Sequence, residues 1–371
     1  MTFAEYFRGP DRSKSQLLKR FGSLLEPWSD TELEDRAKEA QRLTRRFFGR
    51  TMRLFAPLYL SNECINNCHY CGFSRDNSIF RVTLSVAEVE REARHLAALG
   101  FRSVLLVSGE HPKFVANDYL RSVIQRLIHF IPSVSLEIAP LETVDYEPLV
   151  AAGAEGLVVY QETYDRELYR ELHTAGPKKN FDWRLECPER AYAAGFRRIG
   201  VGALLGLGSW QTEALALAEH LEYLLKKCWR AQLTVSLPRV RAAAGGFQPR
   251  CTLADREFVQ MLCALRITFP QVGIVLSTRE APPLRDALMT LGVTLMSAGS
   301  RTEPGGYTGQ GVESLHLTIK GRPAPSAGAS GHAEAQFATE DDRSPAEIAR
   351  RLRAKGLEPI WKDWESSILT A

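Results

Sequence analysis

Short runs rich in Val, Leu and Ile recur along the chain and alternate with segments of helical periodicity. Eight such runs stand out, at 54–61, 103–108, 133–138, 156–160, 198–203, 233–237, 273–277 and 293–297. Most lack polar alternation, the pattern of parallel strands covered on both faces. The intervening segments carry helix signals. Ser85 and Glu88 form a capping-box pattern before a helical stretch that ends at Gly100, and Ser29 with Glu32 opens another that runs to 48 before Gly49. Eight strand–helix units predict an α/β fold, a (β/α)8 TIM-type barrel, with a doubly wound open sheet as the alternative. A barrel places chemistry just beyond the C-terminal ends of its strands.

The pattern also divides the chain. Residues 1–50 are expected to form an N-terminal helical extension, 51–300 the barrel, and 301–371 a C-terminal extension. Within the last, glycine, proline and serine crowd 321–331, so a flexible segment is expected at about 308–334. Order is expected to return near Phe337, and Ser344 with Glu347 opens a final helix to about Lys355, before Gly356.

Composition narrows the class. The 371 residues are 44% apolar and 25% charged, which excludes a collagen-like, coiled-coil or wholly disordered chain. Lys and Arg number 47 against 44 Asp and Glu, too even a balance to predict nucleic acid as a partner. Arg42, Arg45 and Arg46 read as a solvated helix face. No apolar run approaches the roughly 20 residues that span a bilayer, and the first residues lack a signal-peptide pattern. No membrane association and a cytoplasmic location are expected.

Chemistry concentrates in the cysteines. Of seven, Cys64, Cys68 and Cys71 fall within eight positions directly after the first apolar run. Thiolates spaced three and then two residues apart can reach three corners of an iron–sulfur cubane from one loop, leaving one iron without a protein ligand. A zinc site would need a fourth ligand, for which His69 is cramped. Cys187, Cys228, Cys251 and Cys263 are scattered and read as small hydrophobes. Gly200, Gly202 and Gly206 lack dinucleotide-binding spacing.

Three cysteines so spaced, with Tyr70 before the last, resemble the signature of radical S-adenosylmethionine (SAM) enzymes. That resemblance implies a [4Fe-4S] cluster on Cys64, Cys68 and Cys71 that binds SAM at its open iron. Longer blocks are similar to the aromatic amino acid lyases of this superfamily, above all the tyrosine lyases of thiamine thiazole synthesis. They are LYLSN at 58–62, CGFS at 71–74, SGEHPK at 108–113, VYQETY at 159–164, HTAGPK at 173–178, RLE at 184–186, LLGL at 204–207, STRE at 277–280, SAGS at 297–300 and EPGGY at 303–307.

The resemblance implies roles. Tyr70 would approach the adenine; Ser108, Gly109 and Glu110 would receive the SAM amino group; Glu137, Gln161 and Glu162 would face the ribose or sulfonium. Arg184 would pair with the SAM carboxylate. Arg279, with Ser297, would hold an amino acid carboxylate, for which a forked guanidinium is suited. Arg239 is a second candidate, and the competing reading pairs Arg279 with Glu280, or both with Arg285 and Asp286. His111 and His173 are read either as proton relays or as packed residues.

The implied reaction is cleavage of the Cα–Cβ bond of L-tyrosine to 2-iminoacetate and p-cresol. The alternatives are a tryptophan lyase of the same subgroup and a noncatalytic iron–sulfur or zinc module. The absence of cysteine after Cys263 argues against a second cluster of the hydrogenase-maturation kind. Implied partners are a flavodoxin or ferredoxin electron donor and a thiazole synthase, with the N-terminal helices and the segment after Gly299 as possible docking surfaces.

Overall fold

All eight apolar runs are strands in the computed structural model, which describes residues 3–8, 15–325 and 331–362. In chain order they are β1 (Thr51–Ser61), β2 (Ser103–Ser108), β3 (Ser133–Glu137), β4 (Ala154–Glu162), β5 (Arg198–Ala203), β6 (Gln232–Ser236), β7 (Gly273–Leu276) and β8 (Leu295–Ser297). Each pairs in parallel with the next. β1 also pairs with β8, Arg53 to Phe55 lying opposite Leu295 to Ser297. That last ladder closes the barrel and excludes the open sheet, which would leave two edges.

The uninterrupted apolar look of the strands has a simple origin in β1. Met52, Leu54, Ala56, Leu58 and Leu60 are buried in the core. The alternate residues Arg53, Phe55, Pro57 and Tyr59 line cavities inside the barrel. Both capping boxes form: Glu32 N donates to Ser29 Oγ at 3.3 Å and Ser29 N to Glu32 at 2.8 Å, opening the helix Asp30–Phe48. Ser85 and Glu88 do the same for Val86–Ala98.

The chain after β8 returns to the barrel. β9 (Glu358–Ile360) adds to β1 in parallel, just before the stretch that meets β8, and the helix Pro345–Ala354 precedes it. In the segment expected to be flexible, His316–Ile319 pairs antiparallel with Arg322–Ala324 and with Ile79–Arg81, beside the cysteine loop. Tyr307 N and Thr308 N donate to the buried Glu92 carboxylate at 3.0 and 2.7 Å. Residues 326–330 lie outside the described residues. Among those described, no helix is long and apolar enough to cross a membrane.

Candidate active site

The cysteine loop leaves the C-terminal end of β1, where a barrel exposes its functional loops. Buried Arg81 shapes it, donating to the carbonyls of Asn62, Phe73 and Ser74 at 2.5, 3.0 and 2.7 Å and to Thr318 Oγ1 at 2.7 Å. Asn66 ties the loop to its neighbours: its amide donates to Glu110 at 2.6 Å and to Cys64 Sγ at 3.8 Å, and its oxygen accepts from Lys178 N at 2.9 Å. The β2 end presses against the same loop. Gly109 N donates to Ser61 O at 2.9 Å, and a Cβ on Gly109 would stand 2.9 Å from the Glu63 carbonyl carbon and 3.3 Å from Cys64 Cβ. Only glycine fits there.

Burial pushes all three thiols up. Cys64 reaches about 11, with Glu110 and Cys71 adding to the effect, and Cys68 and Cys71 move in the same direction. No three His, Cys, Asp or Glu side chains among the described residues converge on one metal ion; a cubane asks less, because each cysteine binds a different iron. His69, the proposed fourth zinc ligand, is exposed, whereas Cys68 is buried. Three sulfur donors on one braced loop fit a [4Fe-4S] cluster.

Beside the loop lies a buried ionic network. Arg184 donates to Glu110 at 3.0 Å and to Tyr160 O at 2.6 Å, and lies 3.8 Å from Glu162. Lys178 pairs with Glu162 at 2.8 Å. Burial raises the cost of the Glu162 charge, but Lys178 and Arg184 outweigh it and hold the carboxyl below its usual range. Glu162 has φ of 70°, a left-handed backbone unusual for a non-glycine residue. Strain of this kind persists where surrounding contacts hold it, often at functional sites.

Tyr70 adjoins this network, with Lys178 Nζ 5.6 Å from its ring centre. Its hydroxyl lies 2.7 Å from His173 Nε2, while His173 Nδ1 lies 2.7 Å from Tyr169 O. A carbonyl only accepts, so Nδ1 carries the proton and Nε2 accepts from Tyr70. Burial, then Lys178, pushes His173 down to about 3. It packs as a neutral imidazole between Tyr70 and the Tyr169 carbonyl.

A cavity occupies the barrel mouth. Its walls include Tyr59, Glu137, Tyr160, Arg279, Ser297 and Phe337. Arg279 has no carboxylate within 4 Å among the described residues. One Nη reaches Arg239 O at 3.3 Å, and the guanidinium carbon sits 3.3 Å above the Phe337 ring centre. The competing pairings are taken up elsewhere: Glu280 binds Arg239 and Arg241, Arg285 binds Asp341, and Asp286 binds Arg343. Arg239, held by Glu280 and Asp255, does not line this cavity, whereas Arg279 does. Ser297 Oγ accepts from Thr278 N at 3.2 Å on the same wall. Burial, then the charge of Glu162, pushes Glu137 up to about 7.

The residues expected from sequence thus fall into three groups. Arg279, Ser297 and Glu137 share the mouth cavity. Glu110, Glu162 and Arg184 form the ionic network, with Tyr70 beside it. Ser108 and Gly109 border a second cavity beside the cysteine loop, together with His111 and Glu110. Gln161 is the exception. It lies where the strand register shifts between Tyr160 and Glu162, and its amide donates to Phe181 O at 3.3 Å, on the short helix Phe181–Leu185 that also carries Arg184. Asn66, Arg81 and Lys178 were missed, although Lys178 ends a quoted block. Gln336 and Phe337 follow a low-complexity stretch; the sequence marks a return of order near Phe337 but no role at the site.

The radical SAM superfamily matches residues 58–220, and the Biotin and Thiamin Synthesis associated domain matches 236–358. The chain is 41% identical to the 2-iminoacetate synthase of Escherichia coli K12 over 93% of its own length and 86% of the relative's. It is 40% identical to the Salmonella typhimurium enzyme of that name, with the same coverage. Among solved structures, the FeFe-hydrogenase maturase HydG from Carboxydothermus hydrogenoformans is 37% identical with a TM-score of 0.81, covering 94% of this chain and 77% of that one. With its three-cysteine loop, closed barrel and matched length, the chain belongs to the 2-iminoacetate synthase family of radical SAM enzymes, which use a [4Fe-4S] cluster and SAM.

Proposed function

We propose that this chain cleaves L-tyrosine between Cα and Cβ, yielding 2-iminoacetate and p-cresol while SAM becomes 5'-deoxyadenosine and methionine. Arg279 carries the reading: a guanidinium without a carboxylate partner among the described residues, facing the barrel-mouth cavity. A free amino acid brings the missing anion, and a planar fork receives it in two parallel hydrogen bonds.

Cys64, Cys68 and Cys71 would hold the cluster, and Glu110, Glu162 and Arg184, with Tyr70 at their edge, would receive SAM. Bound together, cluster and SAM supply a carbon-centred radical that removes one hydrogen atom from the substrate. The chain's own residues aim that event. Arg279 and Ser297 fix the carboxylate at one wall of the cavity and so limit the orientations open to the amino group. Glu137, pushed up to about 7, is able to exchange a proton near neutrality. Tyr160 and Ser236 offer hydroxyls in the cavity wall to which a substrate phenol can hydrogen-bond. Phe337 and Gln336 line the cavity on the side of Arg279 and Tyr59.

The product imine hydrolyses in water to glyoxylate and ammonia, so a thiazole synthase that consumes it is proposed as partner. A flavodoxin or ferredoxin in the cytoplasm is proposed to supply two electrons, one for the reductive cleavage of SAM and one that, with a proton, reduces the 4-hydroxybenzyl radical left by Cα–Cβ scission to p-cresol. Residues 1–50 and 301–371 are proposed as extensions of a barrel formed by 51–300. The test is to reconstitute the enzyme anaerobically, reduce it, and supply SAM with tyrosine or tryptophan. p-Cresol and tyrosine-dependent 5'-deoxyadenosine are expected. Conversion of tryptophan to 3-methylindole-2-carboxylate, or no SAM cleavage at all, would overturn the assignment.

A further inference from the structure

The segment 333–341 crosses the barrel mouth and is fixed at many points. Glu334 N donates to Phe80 O at 3.0 Å, Gln336 N to Thr302 O at 2.9 Å, Ala338 N to Ala242 O at 2.8 Å, and Glu340 N to Thr278 O at 2.9 Å. Gly72 N of the cysteine loop donates to Gln336 O at 3.1 Å, and a Cβ on Gly72 would approach Ala335 O and Gln336 O to 2.6 Å. Buried Asp341, paired with Arg285 and Arg343, anchors the far end. A segment held this firmly presents its side chains in one orientation.

One of them meets the substrate clamp. The Phe337 ring lies under the guanidinium of Arg279 at 3.3 Å, and both line the mouth cavity. With one face on the ring and one Nη on Arg239 O, the guanidinium plane is fixed and its remaining N–H edge is left for a ligand. A carboxylate in place of the ring would have fixed the plane but consumed that edge. An aliphatic side chain would have filled the space without the attraction of an aromatic face for a cation.

We propose that Phe337 is a positioning residue for the amino acid substrate, acting through Arg279; this rests on the reading of Arg279 as the carboxylate clamp. Phe337 sets the plane of the fork, and so the angle at which the carboxylate docks and the amino group is aimed.

The experiment measures L-tyrosine affinity calorimetrically, on reconstituted full-length enzyme with SAM, for the parent and for Phe337→Leu, Phe337→Tyr, Phe337→Trp and Arg279→Gln. Melting curves confirm folding. Phe337→Leu should weaken tyrosine binding by about fivefold to thirtyfold, the range of a partly desolvated cation–π contact. It should raise KM more than it lowers kcat, while Phe337→Tyr and Phe337→Trp restore most of the affinity. If Leu binds tyrosine as well as the parent, or Tyr and Trp lose as much as Leu, the proposal fails. If the parent binds no tyrosine, or Arg279→Gln changes nothing, the clamp reading itself fails.

Discussion

Gly109→Ala probes how tightly the end of β2 is built into the cysteine loop. The added Cβ would overlap the Glu63 carbonyl oxygen and stand 2.9 Å from its carbon and 3.3 Å from Cys64 Cβ. Carbon–carbon contacts relax at about 3.5–4.0 Å, so the loop must withdraw by at least about 0.5 Å. Nothing flexible absorbs that shift, since the nearest atoms are backbone of the residue preceding Cys64. Inserting a methyl into a filled site costs about 1–3 kcal/mol, which a barrel of this size tolerates. The cluster should not tolerate it, because three sulfurs must keep their mutual geometry. The assay compares the melting temperature of the apoprotein with iron and sulfide content after anaerobic reconstitution. A small loss of melting temperature with a severe loss of cluster is expected. A variant that binds four irons with an unchanged spectrum would refute the reasoning.

Replacing Arg184 by Gln leaves Glu110 and Glu162 each with one partner fewer in a buried setting, and removing one partner of such a pair costs about 3–5 kcal/mol; urea denaturation of the apoprotein should show it. Glu213 is pushed up to about 7 by burial against a usual 4.5, so its contribution is complete below pH 4.5 and lost as pH rises through 7. Stability measured from pH 5 to 8 should fall less in Glu213→Gln than in the parent, by up to about 3 kcal/mol, and equal slopes would count against the assignment. Gln336 donates to Cys71 Sγ at 3.9 Å and accepts from Tyr59 at 2.7 Å. Hydrogen bonds to cluster sulfurs help set the potential, so redox titration of Gln336→Leu should show a more negative midpoint.

Much of this architecture is written in local pattern. β1 to β8 could be read because parallel strands covered on both faces leave dense apolar runs, and the helices at Asp30 and Val86 announce themselves through serine caps. The cysteines were legible because their spacing is itself the chemistry. What local pattern could not convey is which charges find each other across the fold. Arg239 and Arg279 look alike as residues beyond strands, and only tertiary structure gives Glu280 to the first and Phe337 to the second. The break in strand register between Tyr160 and Glu162, which leaves Gln161 bonded to Phe181 O, is likewise invisible in local pattern. Phe337 was hidden by the glycine- and serine-rich sequence before it, since composition says nothing of a later segment's return to the barrel mouth.

The central claim is a four-iron cluster held by Cys64, Cys68 and Cys71 with one iron open to SAM. Mössbauer spectroscopy of the enzyme reconstituted with iron-57, before and after adding SAM, addresses it directly. One iron in four should change its isomer shift when SAM is added while the other three stay as they were. Four irons that respond identically, or a cluster whose spectrum ignores SAM, would contradict it.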